Sequence, residues 1–271
     1  MNKLISLMMI VLMTTACKNR PPEYTCLGDY TPYNRYPEKL TGKVKEMNET
    51  SYWAIPQGDS FKKGNRITVR DRDTLRWTND FNAFFDEGGN LKSCALLDEK
   101  DQTISIWELS VKDKSRTVAK NITNDTIRNW RELNFDENGN LTGISQFKAG
   151  TDTLLSRCSV KTSMKRDTVE FWWYNDKNAP VSKHIFIYNG AGDFFRTEAY
   201  DRDGVRRASV EAKYNSEDKV SELIFYDRSD KIIADNYFTY EYDKKGNWTK
   251  AIVKGKNGTV IIEERKYTYY E

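Results

Sequence analysis

His184 is the one histidine of the chain, set in the stretch KHIFIY with Phe186 and Tyr188 at alternating positions beyond it. An imidazole titrates closest to neutrality and is the side chain most often used as a general base. It has no partner motif. The sequence holds no G-x-S-x-G, no H-E-x-x-H and no phosphate-binding glycine loop. A strand histidine without a nucleophile motif reads as structural, so no catalytic residue is assigned. Glycoside chemistry needs only two carboxylates a set distance apart, and 40 acidic residues supply many pairs. A secreted glycoside hydrolase-like enzyme is therefore the rival to a non-enzymatic reading, to be decided by a concave site holding two carboxylates.

The other reactive residues are few. Four cysteines stand at Cys17, Cys26, Cys94 and Cys158 with no CxxC among them, which points to neither a metal site nor a redox pair. If Cys17 is consumed elsewhere, three thiols remain, and one disulfide at most forms among Cys26, Cys94 and Cys158. No cofactor is implied. Trp172, Trp173 and Tyr174 are consecutive; in a strand the middle ring faces away from its two neighbours. These three rings are the candidate ligand-binding residues, since an aromatic face stacks on a sugar or a peptide.

What positions these residues is a recurring corner. An aromatic or aliphatic residue is followed by Asp or Asn, two polar residues and then Gly or Asp: FDEGGNL from Phe85, LDEKDQTI from Leu97, FDENGNL from Phe135, YDRDGV from Tyr200, YDRSDKI from Tyr226 and YDKKGNW from Tyr242, with related copies at Tyr188 and Tyr214. The copies from Tyr188 onward return every 12 to 16 residues, the rhythm of short strands joined by turns. Asp at the first position of such a turn accepts a backbone N–H two residues on. Gly139, Gly204 and Gly246 then fall where a three-residue hairpin loop needs a left-handed residue, and Asp101 and Asp230 replace Gly at the same place. These corners, Asp136 among them, read as turn formers. An EF-hand places its Gly later and ends on a Glu, so no metal is assigned. The stretch RASVEAKY puts Ala208, Val210, Ala212 and Tyr214 on one face, a half-buried strand. No segment keeps a helical apolar period for three turns. The fold expected is all-β: a long antiparallel meander of repeated hairpins forming a wide curled sheet, with a closed up-and-down barrel as the alternative.

The first residues, MNKLISLMMIVLMTTAC, have the charged, apolar and small-residue regions of a secretory signal. The small residues end on Cys17, which resembles the lipobox of bacterial lipoproteins, although Thr14 stands where Leu is common. The resemblance implies acylation of Cys17 after removal of residues 1–16 and an outer-membrane location, with the membrane as a partner through the lipid. Net charge is +3, or +2 once Lys3 is lost, which does not supply the basic face that nucleic acid needs. Residues 17–40 hold four of the six prolines and read as a tether; residues 41–271 read as one β-repeat domain.

The corner YEYDKKGNWTK at 240–250 resembles the YD repeat of RHS-type bacterial proteins, and the layout resembles uncharacterised YD-repeat-like lipoproteins. That resemblance implies a coiled antiparallel sheet on a surface protein. The repeats here run 26 or 28 residues per two turns, and the chain is too short to enclose a toxin. The triplets DTL, DTI, DTL and DTV, carrying Thr74, Thr126, Thr153 and Thr168, resemble the Asp-Ser/Thr-aliphatic O-glycosylation acceptor of one group of anaerobic Gram-negative bacteria. The function expected is a non-enzymatic binding or envelope-interaction scaffold, with a glycan or an envelope protein as its partner.

Overall fold

The computed structural model describes residues 40–75, 80–138, 140–165, 167–189, 194–217 and 219–271. Among them are seventeen strands and one short helix. The first part of the chain forms β1 (Val44–Gln57), β2 (Ser60–Arg66), α1 (Val69–Leu75), β3 (Asp80–Phe85), β4 (Leu91–Leu97) and β5 (Thr103–Asp113). A run of short strands follows: β6 (Arg116–Thr123), β7 (Thr126–Phe135), β8 (Leu141–Lys148), β9 (Leu154–Thr162), β10 (Thr168–Asn175) and β11 (Pro180–Tyr188). The last six are β12 (Phe194–Asp201), β13 (Arg206–Tyr214), β14 (Val220–Asp227), β15 (Ile232–Tyr242), β16 (Trp248–Gly255) and β17 (Val260–Tyr269).

Each strand from β3 onward pairs antiparallel with the next, and β1 pairs with β17 on one side and β3 on the other. The sheet is thereby a closed up-and-down barrel of sixteen strands. The wide sheet with free edges is not formed; the alternative is. Closure removes the unpaired N–H and C=O rows that an open sheet would leave at both ends. The length of β1 makes it possible. Residues 46–49 take β3, while residues 52–57 take β2 along the same edge. Between β2 and β3 the chain leaves the sheet for α1, started by a reciprocal cap: Thr68 Oγ1 accepts the Asp71 N–H, and an Asp71 carboxylate oxygen accepts the Thr68 N–H. The gap is sealed by Asp80, which accepts the Ser51 N–H at 2.8 Å and pairs with Arg66 and Arg72. Burial pushes the Asp80 carboxyl up against the pull of those two guanidinium groups.

The corners are the expected hairpins. The Asp86 and Asp201 carbonyls accept the N–H groups of Gly89 and Gly204, and Asp86 and Asp201 donate to Asn90 and Val205 four residues on. Gly89, Gly204 and Gly246 have φ of 84°, 74° and 84°, and Asp101 and Asp230 take 62° and 60°. The side chains of Asp98, Asp201, Asp227 and Asp243 each accept two backbone N–H groups within their own turn. In Asp136 one carboxylate oxygen accepts the Asn140 N–H and the other its amide. Gly139, Gly192 and Asp218 lie outside the described residues, as do residues 1–39 with Cys17 and Cys26.

Alternation then sorts the side chains. Along β13, Ala208, Val210 and Ala212 are buried as the pattern requires. The inward set forms one core that includes Met47, Phe81, Cys94, Leu133, Ile144, Phe171, Phe186 and Val253. The opposite phase carries Glu108 against Lys120, Lys183 against Tyr200, Lys213 against Glu222 and Lys250 against Glu264. A barrel that spans a bilayer with its strands needs an outward apolar band; the outward positions here carry these charged residues beside scattered exposed apolar ones such as Phe84, Phe195 and Ile233.

Candidate functional site

The inner wall is not uniform. Because every strand is in register with the next, inward residues can be followed from strand to strand. One row runs Met47, Ala83, Cys94, Trp107, Asn121, Asn129 across β1 and β3 to β7. The next runs Leu109, Ala119, Arg131, Gln146, Ser156, Asn175 across β5 to β10. A third runs Thr117, Leu133, Ile144, Cys158, Trp173, Ser182 across β6 to β11. Toward the 86–90 and 136–140 corners the wall is packed and apolar. Toward the opposite end, on β5 to β10, it carries an indole, a guanidinium and carboxamides. Trp107, Asn121, Asn129, Arg131, Gln146, Ser156 and Asn175 all keep partial exposure, so water reaches the inside of this arc.

These groups are held in place. The Arg131 guanidinium lies 4.7 Å over the Trp107 ring and its Nε donates to Gln146 Oε1 at 3.3 Å. Asn129 Oδ1 is buried without a hydrogen-bond partner, a costly state for an amide oxygen. Nothing in the local sequence signals this cluster. Only the register places Trp107, Asn129, Arg131 and Gln146, from three strands, side by side.

Across the barrel the same level is closed to solvent. Glu49 and Arg265 pair at 2.7 Å, both almost fully buried, and Arg265 stacks on Trp248 at 3.8 Å from the ring centre. Glu263 is buried two residues along β17 from Arg265. Among the described residues Glu49 and Glu263 are carboxylates that the barrel brings close together, and their burial keeps a substrate from them. His184, inward on β11 between Phe171 and Ala199, is 2% exposed, and its Nε2 has no partner. Burial alone pushes its pKa down to about 4, so it is a neutral core residue at physiological pH. Among the described residues no three His, Cys, Asp or Glu side chains converge as a metal site. Cys94 and Cys158 are both buried in the core.

The aromatic triplet divides as strand geometry dictates. Trp173 points inward and packs on the core. Trp172 points outward, its indole N–H donating to Glu170 at 2.8 Å and its ring lying 4.9 Å from Lys183 Nζ. Tyr174, also outward, carries the Arg157 guanidinium at 4.8 Å. The three therefore form no common surface. Of the threonine candidates, Thr126 and Thr153 are exposed, Thr168 is half-buried with its hydroxyl donating to Asp167, and Thr74 falls in α1 with its side chain outside the described residues.

Comparison with known proteins adds the fold and little else. No protein-family model and no curated protein matches the sequence. Among solved structures, the chain is similar to a porin-like protein from Bacteroides uniformis at 10% identity, covering 84% of this chain and 98% of that one with a TM-score of 0.51. A porin-like protein from Bacteroides vulgatus aligns at 8% identity over 85% and 99% of the two chains, with a TM-score of 0.39. A LolA superfamily protein from Nitrosomonas europaea aligns at 10% identity over 86% and 89%, with a TM-score of 0.21. The first of these shares the all-β fold.

Proposed function

We propose that the protein is a lipid-anchored barrel of the outer membrane that works by binding and not by catalysis. The observation that carries this reading is the two-part inner wall: packed and apolar toward one end, open and polar on the β5 to β10 arc toward the other. Barrels use their mouths as ligand sites when the interior is incompletely filled. The charged residues of the outer face support a body standing in water, held to the membrane by acyl chains on Cys17. Burial of Glu49, Glu263 and His184 weighs against the hydrolase reading, because these inner-wall carboxylates and this imidazole do not meet solvent.

Fractionation tests the anchor. Cys17→Ser should leave either an unprocessed precursor or a soluble protein, with only the wild type both processed and extracted by detergent. A Cys17→Ser protein that is processed and still sediments with membranes overturns the anchor. Hydrolysis of a glycoside that is abolished by Glu263→Gln overturns the binding reading.

A further inference from the structure

We infer that the inner-wall cluster of Trp107, Asn121, Asn129, Arg131 and Gln146 is a carbohydrate-binding site. This rests on the binding reading above and gives it a ligand class. A sugar offers hydroxyl groups that donate and accept at once, over a ring whose C–H face is apolar. Carboxamides answer the first property, since each supplies a donor and an acceptor in one plane. An indole answers the second.

The cluster has both, on four adjacent strands. Trp107, Asn121 and Asn129 lie in one ladder row, Arg131 and Gln146 in the next. The Arg131 guanidinium, whose fork of N–H groups suits neighbouring oxygens, is held over the Trp107 ring and by Gln146 Oε1. Asn129 Oδ1 is an unpaired acceptor buried in the wall behind the cluster, and the partly exposed carboxamides of Asn121 and Gln146 are the groups a ligand meets. Neither row contains an Asp or a Glu. That composition disfavours cations and admits neutral or acidic sugars. The site also sits on rigid strands, so little ordering is lost on binding.

The test uses the mature protein without its acyl chains, titrated calorimetrically with defined oligosaccharides of neutral hexoses and of uronic acids, and in parallel with a fluorescent fatty acid. Saccharide binding that weakens about tenfold or more in Trp107→Ala and in Gln146→Met, and that is unchanged in Trp172→Ala on the outer face, is the expected result. If Trp107→Ala fails to fold, Gln146→Met at the same wall carries the test alone. Binding unaffected by the inner-wall variants but lost in Trp172→Ala overturns the site. Binding of the fatty acid with no saccharide bound overturns the carbohydrate assignment and leaves the binding reading standing. Failure of every probe removes both.

Discussion

His184 should make the fold acid-sensitive between pH 7 and pH 5, where no other side chain of ordinary pKa titrates strongly. In the unfolded chain its imidazole has a pKa of about 6.5; in the barrel burial holds it down to about 4. Between those values the unfolded state binds more protons than the folded state, so stability is full above the unfolded pKa and falls as pH drops toward 4. Going from pH 7 to pH 5, the difference in proton binding amounts to about 2 kcal/mol. Urea unfolding at the two pH values, on wild type and on His184→Leu, measures it. Asp80 pulls the other way, because its carboxyl is raised in the fold, but it is present in both proteins and cancels in the comparison. Wild type should lose about 2 kcal/mol more than His184→Leu. Equal losses would show that the imidazole takes up its proton as readily in the fold as in the unfolded chain, and the reading of it as a dry, neutral core residue would be refuted.

Gly204→Ala should destabilise by about 1 kcal/mol, since its φ of 74° is the left-handed region while a Cβ there meets nothing within 4 Å; a chemical melt reads this, and no loss would remove the turn argument. Asp136→Asn should be nearly silent, keeping one acceptor for the Asn140 N–H; calcium-dependent melting abolished by that change would overturn the turn reading of the corners. Arg265→Ala should cost about 3–5 kcal/mol by stranding the buried Glu49 carboxylate, and a loss below about 1 kcal/mol would show that the pair is solvated. Gly64→Ala should disrupt the β1–β2 hairpin, because its Cβ would come within 2.9 Å of the Trp53 carbonyl oxygen; an unchanged melting midpoint would show that the bulge relaxes.

Local chemistry was readable in the sequence where it is decided by neighbours along the chain. A corner such as YDRDGV is specified by an Asp that bonds its own loop and a Gly that accepts positive φ, both within five residues, so the turn forms wherever the ribbon goes. The same locality made Trp172 and Trp173 point opposite ways, since a strand alternates by construction, whereas the short helix α1 was not legible in the sequence. Closure was another matter. Whether β17 meets β1 depends on the accumulated twist and on a bulge at nearly every corner, and no single repeat records that sum. The division of the inner wall was hidden for the same reason. Arg131 reads as one polar residue in an ordinary strand until the register sets it beside Gln146 and over Trp107, and Glu49 reads as a surface acid until closure buries it against Arg265, 216 residues away. Turns are set by bonds a few residues long, whereas the interior is set by which strands end up adjacent, and that only the closed sheet decides.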